Sequence, residues 1–319
     1  MGKYIVRRIL HLIPVVLIIS ILLFSIIKLA PGDPVGSNLD PRATAEQRAE
    51  ERARLGLDKP IPVQYWEWLQ RSLRGDFGNS YTYKRPVKDI VPKFIWNTFL
   101  LNVVVYLFAF LISLPVGIIC AVKQYSRTDN FWTVFSIIGI SMPTFFFGLL
   151  LIYVFAVKLN WLPINGMVTA GKNATGIARV KDILYHMILP GIVLIIGSMA
   201  SYVRYTRTSM LEVINQDYIR TARSKGLSEK VVIYKHAFRN ALIPIITIVG
   251  FTIPSLFSGA VILETVFVWP GIGNVLMEGI NMRDYNLVMA LNMFFALLTL
   301  LGNLLADVGY ALVDPRVKV

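Results

Sequence analysis

Cysteine is nearly absent from this chain: Cys120 is the single one among 319 residues, and it lies inside an apolar run. That excludes a disulfide framework within the chain and any metal cage built on thiolates. Charge is scarce too. Asp, Glu, Lys and Arg make up 16% of the sequence against 55% hydrophobic residues, where a soluble domain carries about 25% charged residues. Ionisable groups inside the apolar runs are scarcer still. His11 is the only titratable side chain well within one; Lys28 and Asp307 stand at run edges, where a long or interfacial side chain reaches water. Proton- and ion-coupled carriers need groups at membrane depth that bind and release the ion, so an ion-coupled stand-alone carrier is the weaker alternative. No His-Glu-x-x-His, Gly-x-Ser-x-Gly elbow or intramembrane aspartate pair occurs, which removes support for a membrane hydrolase. The expectation is a chain with no catalytic residue, no metal site and no energy source of its own.

What is present is apolar length. Six stretches, about 9–29, 98–122, 132–157, 187–203, 241–263 and 287–306, each come near the ~20 residues that cross a bilayer as a helix. The fold class is therefore all-α, a polytopic membrane protein with six transmembrane helices. The first run comes after "KYIVRR" and resembles a signal peptide, but it is long for one and Lys28 spoils the cleavage pattern, so it reads as a retained anchor. The net charge of +13 would suggest nucleic acid in a soluble protein. Here the bases flank apolar runs and build no basic-aromatic platform, so nucleic acid is excluded.

Six spans put both termini on one side. That side gathers Lys3, Arg7, Arg8, Lys123, Arg127, a basic run from Arg204 to Arg239, and Arg316 and Lys318. The two shorter loops opposite hold only Lys158, Lys172, Arg179, Lys181 and Arg283. Both termini are expected in the cytoplasm. The long first outer loop has structure of its own: Thr44 and Gln47 fit a capping box, Gly56 ends the helix that the box opens, and a second helix runs from Pro62 to before Gly75. Tyr65, Trp68, Leu69 and Leu73 of that second helix share a face for packing, lipid or a partner.

Pro115, Pro143, Pro244 and Pro254 interrupt or flank spans and free carbonyls that a bundle or cavity must satisfy. With Asn102, Ser141 and Asn292 they suggest a polar, uncharged interior. Asn102, Ser141, Pro143, Pro254 and Asn292 are the candidates for a translocation path. Gly166 to Asn173 nearly matches a phosphate-binding loop, but Asn173 stands where a Mg²⁺-binding hydroxyl is required and no strand precedes it.

Between the fourth and fifth runs lies "DYIRTARSKG", Asp217 to Gly226. Asp217 can cap a helix and Gly226 can close it left-handed. Two turns are marginal alone, so this helix must rest on its own bundle or on another protein. Ala222, Gly226 and the later Pro244 match the "EAA loop" of permease subunits of bacterial ATP-binding-cassette importers; Arg220 and Thr221 depart from it in the manner of the dipeptide/oligopeptide branch. "LAPGDP", "LGLDKPIPVQYWEWL", "GDFGNS", "SMPTFFFG", "LETVFVWPGIG", "RDYNLV" and "YALVDPR" occur in that branch's order, and almost the whole chain resembles its B-type subunit.

The resemblance implies a type I importer permease (MetI-like) fold. Residues 1–97 would form the first helix and outer loop, 98–310 the permease core, and 204–240 a cytoplasmic coupling loop within it. It implies a second, homologous permease, two ATPase subunits that bind ATP and Mg²⁺, and an extracytoplasmic peptide-binding protein, in a bacterial or archaeal cell membrane. No cofactor is expected in this chain. Asp217, Tyr218, Ile219, Arg220, Thr221, Ala222, Arg223, Ser224, Lys225 and Gly226 would carry the coupling, with Tyr218, Ile219, Ala222 and Arg223 touching the ATPase. Asp33, Asp76, Asn79 and Ser80 are candidates for receptor contact or outer gating. Nickel and glutathione permeases share the architecture and are the alternative cargoes.

Overall fold

The computed structural model of the chain describes residues 2–29, 35 and 43–313; Asp33 lies outside them. Among the described residues the protein is helical, with one isolated bridge between Asn79 and Pro86. Helix α1 (Gly2–Leu29) covers the first apolar run. In the long loop α2 (Ala45–Arg54) opens with the expected capping box: the Gln47 amide donates to Thr44 Oγ1 at 3.2 Å and the Thr44 amide to Gln47 Oε1 at 2.9 Å. Gly56, at φ +67°, turns the chain after it. Helix α3 (Ile61–Leu73) then lays Tyr65, Trp68 and Leu69 on α1 around Phe24, and the Tyr65 hydroxyl meets Ser20 at 2.8 Å. Leu73 departs from that face and is 80% exposed.

Two helices longer than a bilayer requires form the spine. Helix α4 (Val87–Val122) has 36 residues, about 54 Å at 1.5 Å per residue, and begins well before the expected Thr98. Along it packs α7 (Gly176–Ile214), which outruns the expected 187–203 at both ends. Gly117 sets their approach. A β-carbon there would lie 2.5 Å from Thr206 Cβ, so the missing side chain is what lets the backbones close.

The third run differs from expectation. In place of one straight span, α5 (Arg127–Ser141) and α6 (Thr144–Leu151), which continues as a π-helical turn over Ile152–Lys158, meet at 101°. The cause is local: Pro143 cannot donate to the preceding turn and forces Met142 out of the helical region, to ψ 124°.

After α7 come the short α8 (Asp217–Ser224) and α9 (Glu229–Val231), a π-helical stretch over Val232–Ala237, and α10 (Phe238–Ser255). Helices α11 (Val261–Val266) and α12 (Ile272–Asn281) precede the last long helix, α13 (Tyr285–Val313), which packs on α10 and α1. Among the described residues α1, α4, α7 and α13 are long and apolar enough to cross a membrane, and the bent α5–α6 pair makes a fifth. The count is thus four or five against six expected. The fifth expected run breaks after Pro254 and Ser255 and does not continue to Leu263.

Candidate functional site

The basic loop presents a short helix with two faces. Ile219 is fully buried and Ala222 is 7% exposed, both in a cluster with Ile118 and Ala121 of α4, Met210 of α7, and Val232, Ile233 and Ala237 of the π-helical stretch. Burying an isoleucine is worth about 1.5–3 kcal/mol, and this seat gives two turns a stability they lack alone. Ile219 and Ala222 therefore cannot be the outward contacts expected of them; they hold α8 on its own bundle. The exposed face carries Tyr218, Arg220, Thr221, Arg223 and Ser224. Asp217 is a second correction. The residue that caps α8 is Gln216, without a side-chain bond, and Asp217 in the first turn stands fully exposed 3.6 Å from Arg220. Gly226, next to exposed Lys225, has φ +76° with open space where a β-carbon would stand, and its amide closes on Arg223 O at 2.9 Å.

One ion pair joins α8 to α9. Arg223 reaches Glu229 with two bonds, 2.8 and 3.2 Å. The hydrogen bonds from Arg223 hold the Glu229 carboxyl below its ordinary 4.5. A depressed carboxyl contributes most above its unfolded value and loses that contribution as pH falls through the folded one. Hydrogen–deuterium exchange of 217–229, taken relative to the intrinsic amide exchange rate at each pH, is therefore expected to be flat from pH 7 to 5 and to rise below about 4.5. Arg223→Gln should abolish that rise; an identical rise in the variant would show that another group causes it.

Behind this loop, a buried pair ties α5 to α7. Asp129, 2% exposed, accepts from Arg207 Nε at 2.7 Å and from its terminal nitrogen at 2.9 Å, and also from the Tyr125 amide at 2.9 Å. Removing Asp129 leaves the Arg207 guanidinium, 24% exposed, to water on one side and without its partner on the other. Asp129→Ala is expected to cost about 1–3 kcal/mol, read as a lowered unfolding midpoint of the detergent-solubilised chain, with Asp129→Leu/Arg207→Met recovering most of it.

At the opposite end stands a buried carboxylate that reading the chain by motif passes over. Glu264 of α11 is 1% exposed. The Ile272 amide donates to Thr98 Oγ1, Thr98 donates to Glu264 Oε1 at 2.9 Å, and the Asn274 amide donates to Oε2 at 3.1 Å. Three glycines crowd this carboxylate: β-carbons at Gly259, Gly271 and Gly273 would lie 2.7, 2.3 and 2.8 Å from its oxygens. Burial pushes the Glu264 carboxyl up, and the bonds from Thr98, Asn274 and Gly273 draw it partly back. Trp269, fully buried, adds an indole bond to Asn97 O at 3.2 Å. The loop between α11 and α12 is thereby latched onto α4. The clue was available in "LETVFVWPGIG", where one acid precedes closely spaced glycines.

A second tie lies nearby. Asp284, fully buried, caps α13 through the Leu287 amide and accepts from Ser80 Oγ at 2.5 Å and the Thr82 amide at 3.0 Å. Ser80, expected as an external contact, is 1% exposed and is a fastener for this loop. Asp76 and Asn79 are less buried; Asp76 accepts from the Gly78 amide, and Asn79 O from Asn286.

The residues expected along a path fall in three places. Asn102 is buried, and its amide reaches Ser255 O, Leu256 O and Ser258 O at 3.0–3.3 Å, the carbonyls left free where α10 ends after Pro254. Ser141 and Pro143 stand at the α5–α6 bend. Asn292 bonds back to Val288 O of its own helix.

A long apolar helix pair, a broken third span and a short basic helix seated on the bundle define a type I permease of the ATP-binding-cassette class. The chain belongs to the family described as binding-protein-dependent transport system inner membrane component, matched over residues 113–319, with the family's N-terminal membrane component matched over residues 1–102. It is a multi-pass membrane permease subunit. It is similar to the oligopeptide transport system permease protein AppB of Bacillus subtilis, 44% identical over 319 residues and the whole of both chains. A putative peptide permease protein of Brucella ovis is 39% identical over the whole of both chains, and the glutathione transport system permease protein GsiC of Salmonella typhimurium is 37% identical over all of this chain and 99% of its own. Among solved structures, an inward-facing MetNI methionine ABC transporter superposes with a TM-score of 0.53 at 16% identity, covering 70% of this chain and 96% of that one, and shares the fold.

Proposed function

We propose that this chain is a permease subunit of an ATP-driven importer of di- and oligopeptides. It lines the path with a homologous second permease, takes peptide from an extracytoplasmic binding protein, and couples to two ATPase subunits that hold ATP and Mg²⁺. The observation that carries the reading is α8, anchored by Ile219 and Ala222 while Tyr218, Arg220, Thr221 and Arg223 are left uncovered for a partner. A helix rooted in the α4–α7 spine transmits a push from that partner to the bundle. The basic loop and both termini face the cytoplasm, α10 supplies the sixth crossing, and the Glu264 and Asp284 latches face outward. Full-length likeness to oligopeptide and peptide permeases supports the cargo. A glutathione permease at 37% identity favours a tripeptide as a second reading.

Labelled-peptide uptake by proteoliposomes holding all subunits tests this. Uptake is expected only with ATP inside the ATPase-facing compartment. Uptake that persists without ATP and tracks an ion gradient would return the chain to the stand-alone carriers.

A further inference from the structure

Helix α1 is long and apolar enough to cross the bilayer, and its apolar segment closes at Lys28 and Leu29. That end is a depth gauge for whatever packs beside it. Ser20 lies about 12 Å before Lys28, and Phe24 about 6 Å before it, at 1.5 Å per residue. Both are held by α3. The Tyr65 hydroxyl meets Ser20 at 2.8 Å, and the rings of Tyr65 and Trp68 stand 5.4 and 6.1 Å from that of Phe24. An element of the loop thus sits level with the last turns of the span. Amphipathic helices lie in a membrane surface at that depth, about 5–10 Å into the boundary between headgroups and acyl chains.

The side chains of α3 fall into three rows. Tyr65 and Trp68 face α1. Roughly 100° round the helix, at 3.6 residues per turn, Gln64, Glu67 and Arg71 line a cleft that they share with Lys28 and with α2. Helix α2 has no buried residue, so this is the water side, toward the end of α1. Nearly opposite the polar row, Pro62, Trp66, Leu69 and Leu73 recur at helical spacing as an apolar stripe. Leu69 borders α1, while Pro62, Trp66 and Leu73 are uncovered among the described residues, Trp66 to 58%. Lying opposite the cleft, the stripe points toward the middle of α1. What it meets there can be read on α1 itself. Ile13, Leu17, Ser20 and Phe24 form one row of that helix. Where α3 covers the row, Ser20 and Phe24 are buried; farther along it, Leu17 and Ile13 are 42% and 53% exposed. The stripe therefore continues the uncovered apolar flank of a transmembrane helix, which faces lipid.

We propose that α3 lies in the membrane surface at the Lys28 end of α1, with Pro62, Trp66 and Leu73 among the lipid acyl chains and the polar row in water. Tryptophan and leucine on one face with charge on the other is the composition such helices carry. The helix moors the loop that holds Ser80 against Asp284. A soluble partner would approach from the water side and meet the polar row, so the stripe is not its docking face. The inference rests on α1 crossing the bilayer and on nothing about the cargo.

The test is depth-resolved fluorescence quenching. Cys120 is buried and is the chain's single cysteine, so Cys120→Ala clears the background for a bimane label at Trp66→Cys, Leu73→Cys or, on the polar row, Arg71→Cys. Each labelled chain is placed in phosphatidylcholine nanodiscs, alone and in the assembled transporter. Labels at 66 and 73 should lose most of their fluorescence to a lipid nitroxide near the ester, less to one at the far end of the acyl chain, and little to aqueous iodide. The label at 71 should show the reverse, quenched by iodide and spared by the lipid nitroxides. Iodide quenching at 66 and 73 as strong as at 71 would overturn the proposal and put the stripe in water. Labels at 66 and 73 shielded from every quencher in the assembled transporter would overturn it in favour of a contact with the second permease. Stronger quenching from the far end of the acyl chain would also contradict it, because a surface helix does not reach that depth.

Discussion

Gly226→Val is expected to reduce peptide-stimulated ATP hydrolysis in the assembled transporter at least about tenfold while the chain still inserts. The reason is conformational. At φ +76° a side chain is strained whatever the space around it, by roughly 1–2 kcal/mol for an ordinary residue and more for a β-branched one. No neighbour would clash, since nothing lies within 4 Å of the added β-carbon. The strain must therefore be relieved by the backbone, at the point where α8 hands over to Ser228 and α9. A shifted handover turns the exposed face carrying Tyr218 and Arg223 away from the axis set by Ile219. Gly226→Asn should retain most coupling, because asparagine tolerates the left-handed region. Stimulated hydrolysis at the normal level in Gly226→Val would mean that α8 does not transmit the push.

The second large effect belongs to the opposite end. Gly271→Ala places a methyl 2.3 Å from Glu264 Oε1 and 2.6 Å from Thr98 Oγ1, so either the carboxylate leaves its nest or the loop lifts from α4. Overpacking costs about 1–3 kcal/mol, and a displaced carboxylate leaves buried N–H donors at about 1–3 kcal/mol each. The unfolding midpoint of the solubilised chain should fall by an amount equivalent to about 3–5 kcal/mol. Combined with Glu264→Ala, the loss should be smaller than the sum of the two single losses, because both act through one cluster. Strict additivity in that double mutant would show that the nest is not a unit.

Much of this was legible in the chain before its structure. The capping box at Thr44 and the turn at Gly56 are local chemistry, and local chemistry reads directly. So do the long helices, whose apolar runs match or exceed a bilayer's width. What could not be read was direction and distance. The residues of "DYIRTARSKG" are all compatible with an exposed helix, yet Ile219 and Ala222 face inward because α4 and α7 bring Ile118 and Met210 beneath them. Ser80 looked like a free hydroxyl until Asp284, more than two hundred positions later, arrived beside it. Asn102 suggested a polar lining; it closes the carbonyls that Pro254 and the end of α10 leave open. The bend at Pro143 was foreseeable as an interruption, though its angle was not, since packing against the rest of the bundle sets how far a broken helix turns.

Mild-detergent purification of the tagged chain from native membranes, with mass spectrometry of its companions, tests the central claim most directly. A second permease and nucleotide-binding subunits should accompany it, and Gly226→Val should weaken or alter the ATPase association without losing the permease partner. Recovery of this chain alone, folded and stable, would contradict the account and leave α8 with no partner to press on it.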